Sequence, residues 1–260
     1  MRKLFTLLLL SIIALTVHAQ AWEAGVTLGG AGYMGDLNNR NPVQVSGGMA
    51  GVFARKNFSE YLSAKVAYNY GFIHADDANS SNQIDRNRNL SFTTYLNEIS
   101  AVAEFNFFEY RPSVFRHAFT PYVFAGLGGL YYVPTAKLDD KWYDLRSFKT
   151  ENEAKPYSKF AVSVPYGIGI KYSFSNKLGI TADAGYRYVK TDYLDDVSGN
   201  YANPANFTTT QFRLADKRLD PNQRGTYGMQ RGDGRPHDSY MFFSISISYT
   251  WITDRCYFQY

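Results

Sequence analysis

Past its first twenty residues the chain has no apolar run of 18 residues or more, so it offers no candidate for a membrane-spanning helix. It has one cysteine, Cys256, which excludes an internal disulfide framework. Histidine is scarce. Of His74, His117 and His237, none stands in a metal-ligand spacing or beside a nucleophile, and no G-x-S-x-G or Walker pattern is present. Nothing calls for a cofactor. Basic runs are missing too: 27 Lys and Arg against 23 Asp and Glu leave a net charge of +4 spread along the chain. That balance gives no footprint for nucleic acid.

The N-terminus is of a different kind. Arg2 and Lys3 precede an apolar stretch from Leu4 to Val17, and "VHA" at 17–19 resembles a small-x-small cleavage site. Residues 1–19 therefore read as a secretory signal peptide, cut between Ala19 and Gln20. The residue directly after the cut is Gln20, not cysteine, which argues against a lipoprotein. Aromatics make up 17% of residues, yet mean hydropathy is only −0.33. Many aromatics without hydrophobic blocks suit a transmembrane β-barrel, in which lipid-facing positions alternate with polar ones.

The alternation is plain in "SYMFFSISISYTW" (239–251): Met241, Phe243, Ile245, Ile247, Tyr249 and Trp251 fall on one face, Ser244, Ser246, Ser248 and Thr250 on the other. Similar two-faced segments occupy 22–31, 61–72, 95–107, 159–174 and 178–189, while 43–55 and 121–132 are strand-like with faces that cannot be assigned. Period two means strands. Eight of them, roughly ten residues or longer, can cross a bilayer at the usual tilt. The fold predicted is all-β, an eight-stranded antiparallel up-and-down transmembrane barrel over 20–251. Short connections at 56–60 and 175–177, and an intermediate one at 108–120, alternate with long ones at 33–42, 73–94, 133–158 and 190–238. By the outer-membrane pattern the long loops are extracellular and both termini periplasmic. Tyr240, Tyr249 and Trp251 are expected at the aromatic girdles.

The inward face carries Glu23, Lys65, Glu98, Glu104, Lys171, Asp183 and Arg187. An eight-stranded barrel is just wide enough for side chains to fill, and buried charges must pair. This mixture predicts a closed lumen. In the loops, Asp76, Asp77 and Asp238 stand near His74 and His237, the composition a loop-mounted hydrolase would need. Asp76, Asp77, Asp192, Asp195 and Asp196 are oxygen donors suited to calcium, without EF-hand spacing. Turn chemistry and solvation account for such clusters more often, so no catalytic or metal residue is assigned. The 190–238 loop admits a folded cap, a flap or a partner surface, and "RGD" at 231–233 is too short a match to mean anything alone.

"GYMGDLN" (32–38), "DDANS" (76–80), "RNRNLSF" (86–92), "KWYDLRSF" (141–148), "PYGIGIKYSFSNKLGI" (165–180) and "GYRYVKTDYLDDVSGNY" (185–201) resemble the PorG-like family of outer-membrane β-barrels from Bacteroidetes. The resemblance spans nearly all of the chain after the signal peptide. It implies a non-enzymatic component of the type IX secretion system, associated with the periplasmic ring of the PorK lipoprotein and PorN. It carries over no catalytic residue. The alternative is a free-standing barrel acting as adhesin, envelope-stability protein or small-solute pore. The tail 252–260 is expected in the periplasm. There an unpaired Cys256 beside Arg255 is a candidate for an intermolecular disulfide, with the ring lipoprotein as partner and Tyr257, Phe258 and Tyr260 packed against it.

Overall fold

The structure is a computed structural model and describes residues 21–38, 41, 43–112, 118–218 and 227–252. Eight long strands run antiparallel: β1 (Ala21–Met34), β2 (Val45–Asn57), β3 (Leu62–Asp76), β4 (Ser91–Asn106), β5 (Phe119–Leu138), β7 (Phe160–Ser173), β8 (Leu178–Val189) and β9 (Ser239–Ile252). Each pairs with its neighbours in chain order, and β1–β9 pairing closes the ring. A short ninth strand, β6 (Lys141–Asp144), folds back on the far end of β5 and lies outside the ring. The result is a closed eight-stranded up-and-down barrel with no free edge, which leaves every ladder hydrogen bond within the sheet. Among the described residues no helix is long and apolar enough to cross a membrane.

The alternation in the sequence becomes an inside and an outside. On β3, Val66, Tyr68, Tyr70 and Phe72 are exposed while Ser63 and Asn69 are buried. On β7, Val162, Ile168 and Ile170 are exposed while Ser163 and Lys171 are buried. The apolar outer face runs around the whole ring, and on most strands it is backed by a polar inner one. An apolar belt that closes on itself is far beyond the patch a water-soluble monomer tolerates, and a bilayer covers such a belt on all sides. Phe107, Phe108, Phe119, Phe174 and Trp251 ring the end that carries the short turns, and Tyr70, Phe72, Tyr95, Phe160 and Tyr188 ring the other.

The two strands whose faces the sequence leaves open are settled by what points inward. β2 buries Met49, Phe53 and Arg55, and β5 buries Tyr122, Phe124, Leu130 and Tyr132. Glycines on facing strands make the room: a Cβ on Gly169 would stand 2.6 Å from the Tyr122 ring, and one on Gly185 would stand 2.5 Å from Phe124. Tyr240 departs from the girdle position expected for it. It is fully buried inside the ring, next to Phe242, and its hydroxyl donates to Glu98 Oε2 at 2.5 Å. The inward register of β9 therefore begins with two aromatic rings before it turns to serine.

Ile245→Arg, at an outward position 59% exposed, should cost about 2–4 kcal/mol when folding into bilayers is titrated with urea. Ser246, whose Oγ lies 2.9 Å from Thr27 Oγ1 inside the barrel, should answer to steric room instead. Equal tolerance of Arg at both positions would refute the faces.

Candidate functional site

Two polar assemblies lie in the molecule, one in the lumen and one under the long loops. In the lumen, Glu23, Glu98, Glu104 and Lys171 are fully buried, Arg187 is nearly so, and Lys65 and Asp183 complete the set. Arg55 stands among them, a residue that sequence reasoning missed because the Gly-rich pattern of 43–55 hides its inner face. Its Nη1 donates to Glu23 Oε2 at 3.0 Å, and its Nε lies 2.8 Å from Glu104 Oε2. Lys171 Nζ lies 2.7 Å from Glu104 Oε2 and Lys65 Nζ 3.5 Å from Oε1, so Glu104 meets three cations. Lys65 also reaches Asp183, at 3.7 Å. Nearer the long loops, Glu98 accepts from Asn69 and Tyr240 and lies 3.5 Å from Arg187 Nε. With Arg55 counted, four cationic and four anionic side chains balance within the ring.

Rings fill the remaining space. Lys171 Nζ sits 4.5 Å from the Tyr122 ring centre and the Arg187 guanidinium 4.4 Å from that of Phe242. A void at mid-barrel, lined by Thr27, Phe53, Lys65, Phe124 and Asp183, measures about 20 Å³. That is room for about one water.

The long loops form a folded cap. Helices α1 (Gln83–Arg88), α2 (Leu145–Phe148) and α3 (Thr209–Ala215) sit in them, the last opened by a capping box between Thr208 and Gln211. Leu145, Leu194 and Leu214 are buried in one cluster with Tyr33, Ile73, Phe92, Leu96, Tyr132 and Phe242, so the cap shares its core with the barrel mouth. Two arginines tie the loops together. Arg88 grips Asp77 with Nε and Nη2 and donates to the carbonyls of Asp36 and Arg231. Arg231 donates to Glu151 Oε1 at 2.9 Å and to the Asp196 carbonyl at 2.7 Å. Between α1 and the 229–233 segment a cleft of about 470 Å³ opens outward, lined by Ile84, Arg88, Arg218, Met229 and Arg231.

The loop acids considered for calcium do not converge. Asp76 caps a short 3₁₀ turn, Asp77 pairs with Arg88, Asp195 accepts from Tyr33, and Asp196 accepts from Thr150 and Tyr157. Only Asp192 joins a carboxylate group, with Asp36 and Asp238, residues 156 and 46 positions away in sequence (192 − 36 and 238 − 192). Burial, together with the charges of neighbouring acids, pushes Asp36, Asp195 and Asp238 far above the usual carboxylate range. Burial alone dominates for Asp192, raised to about 6, and for Asp196, raised to about 7 against the opposing pull of Arg231, Thr150 and Tyr157. His74 Nδ1 donates to the Ser46 carbonyl at 2.5 Å, and the His237 ring packs edge-on against Tyr188 at 4.9 Å. His117, the segment 1–19, and Arg255, Cys256, Tyr257, Phe258 and Tyr260 lie outside the described residues.

A closed eight-stranded barrel with an outward apolar belt, an ion-paired interior and a capped mouth defines a small β-barrel protein of the outer-membrane kind. The chain matches over residues 2–260 the family described as a domain of unknown function, DUF6089, and belongs to it. Comparison with proteins of curated function gives no match. Among solved structures it is similar to the N-terminal β-barrel domain of Pseudomonas aeruginosa OprF, at 13% identity over 90% of this chain and 98% of that one, TM-score 0.39. It is also similar to Ail, the attachment invasion locus protein of Yersinia pestis, in complex with a heparin analogue (9%, 90% and 100%, TM-score 0.38). A third is the outer membrane enzyme PagL (10%, 87% and 97%, TM-score 0.37). Likenesses this distant carry no argument about activity.

Arg55→Met strips Glu23 of its cation and Glu104 of one of three, and a broken buried pair costs about 3–5 kcal/mol. Urea titration in lipid vesicles measures it. Adding Glu23→Gln should recover part of the loss, and simple additivity of the two changes would disprove the pairing. The cap has its own pH dependence. Asp196 keeps its proton up to about 7 in the folded chain but releases it near 3.8 when unfolded. The folded state thus binds more protons, and stability falls as pH rises from about 4 to about 8. With chelator present, amides of 194–197, corrected for intrinsic exchange, should be better protected at pH 5 than at pH 8, and Asp196→Asn should reduce the difference. Stronger protection at pH 8 would contradict this.

Proposed function

We propose that this protein is a non-enzymatic outer-membrane component of the type IX protein secretion system that anchors the periplasmic ring of PorK and PorN. The observation that carries the anchoring role is the sealed, ion-paired lumen centred on Arg55 and Glu104. Such an interior stiffens the ring and leaves no path for a solute, as a membrane anchor needs and a pore does not. The secretion system and the two partners rest on the sequence resemblance of 32–38, 141–148, 165–180 and 185–201 to the PorG-like family.

In this reading residues 1–19 are removed on export, and the short turns 58–61 and 174–177 and both termini face the periplasm. The cap is then extracellular. The tail with Arg255, Cys256, Tyr257, Phe258 and Tyr260 emerges where a ring would dock, and Cys256 bonds to the ring lipoprotein. A second reading, a free-standing surface protein that binds a ligand in its loops, is favoured by one observation, the 470 Å³ cleft over α1.

A gentle pull-down with a tag on the native protein separates the two. Recovery of a lipoprotein ring, with a reductant-sensitive band lost in Cys256→Ser, supports the anchor. Recovery of the barrel alone, from envelopes in which the ring is intact, overturns it. Purified protein in planar bilayers should show no steady conductance, and stable channels would remove the sealed lumen as the basis of the reading.

A further inference from the structure

Several buried carboxylates among the described residues have a cation beside them. Glu23, Glu98, Glu104, Asp77 and Asp196 each have an Arg or Lys nitrogen within 4.0 Å. Asp36, Asp195 and Asp238, which are 5%, 2% and 1% exposed, have none among the described residues, and neither has the half-buried Asp192. Instead they face one another. One oxygen each from Asp36, Asp192 and Asp238 lies within 4.8 Å of the other two, and Asp195 is close enough to bear on both Asp36 and Asp238.

A second observation is independent of the clustering. Asp36 accepts the Asp233 amide through Oδ1, but its Oδ2 is buried with no hydrogen-bond partner among the described residues. An orphaned carboxylate oxygen in a dry site costs several kcal/mol unless something electropositive meets it. The backbone is shaped to the cluster as well. Gly35 lies so close to Asp238 Oδ1 and the Tyr33 hydroxyl that a side chain there would overlap both, and Asp238 Oδ2 is held by the Leu194 amide at 2.9 Å. The other acids are used: Asp195 Oδ2 accepts from Tyr33, and Asp195 Oδ1 accepts from the Val197 amide.

We infer that Asp36, Asp192 and Asp238 hold a calcium ion beneath the cap. All three donors are hard oxygens, which exclude thiolate- and imidazole-seeking metals. Oxygens no more than 4.8 Å apart can share one ion through calcium–oxygen bonds of about 2.4 Å, and three protein carboxylates suit calcium better than magnesium, which keeps several waters and takes one or two carboxylates. Three carboxylates from the first and last long loops on one ion would add a calcium link to the hydrogen bonds that already join those loops. This goes beyond the anchoring role and is independent of it.

The test uses the full-length folded protein in detergent, stripped with chelator, at pH 7.5. Titration calorimetry should find one calcium per chain, with a dissociation constant no weaker than about 10⁻³ M, the range of extracellular modules. Magnesium should bind at least about tenfold more weakly, because it dehydrates reluctantly and rarely takes three protein carboxylates. Terbium, a calcium substitute, should give tyrosine-sensitised emission that calcium displaces. Asp192→Asn, a half-buried position, should weaken calcium at least about tenfold, the loss of one of three charged ligands. Asp238→Asn should do the same, with folding checked by heat-modifiable gel mobility. Asp85→Asn, on α1 beside the cleft, should change nothing. Absence of calcium binding by the folded wild-type protein at 10-fold above that constant, wild-type affinity in Asp192→Asn, or equal affinity for magnesium would each overturn the assignment.

Discussion

An eight-stranded ring encloses a space that only side chains can fill, and that constraint governs the rest of the molecule. Polar residues face inward because the outside must be apolar, so charges enter a volume with almost no water. Each then needs a partner of opposite sign from another strand. Glu104 on β4 meets Arg55 of β2, Lys65 of β3 and Lys171 of β7. Glu23 on β1 is met by Arg55 and by Ser248 of β9. The ladder alone leaves sliding of neighbouring strands costly but possible, whereas these pairs span the ring and pin register across it.

The cap is continuous with that interior. Tyr240 hangs from the mouth down to Glu98, Thr94 Oγ1 donates to the Leu194 carbonyl at 2.5 Å, and Tyr33 reaches up to Asp195. The buried cluster at the mouth draws side chains from strands and loops alike. Loops are ordinarily where variation and mobility concentrate. Here their backbone is held by the buried Arg231 and the part-buried Arg88, so the four connections act as one layer set on the barrel.

Much of the barrel was legible because lipid enforces period two. β3, β4, β7, β8 and β9 read directly, for their outward positions must be apolar and their inward ones need not be. β2 and β5 did not, since their inward sets mix Gly, Met, Phe, Tyr and Arg55, which break the polar half of the alternation. Tyr240 was misplaced for the same reason: at a strand end an aromatic suits a girdle as well as a mouth core, and only the partner, Glu98, decides. The cap helices, four to seven residues long, are too short for a periodic signal. The Asp36–Asp192–Asp238 group joins positions far apart in the chain, and nothing local marks three aspartates as neighbours. The paired lumen charges were readable as residue types, but their pairing order was not.

β5 is 20 residues long. At about 3.3 Å per residue and a tilt near 40°, it rises about 50 Å along the membrane normal, about twice the height of the apolar band. Its far part, doubled by β6, extends past that band as a hairpin mast, with Lys137, Asp139 and Trp142 exposed along it, Ala136, Leu138 and Tyr143 packed against the cap's core, and α3 moored to it through Arg213 and Asp139. Because the mast is the same strand that presents Tyr122 and Phe124 to the lumen, a pull or twist applied at its tip is delivered by unbroken backbone to the centre of the ring. One strand thus belongs at once to the cap and to the paired interior.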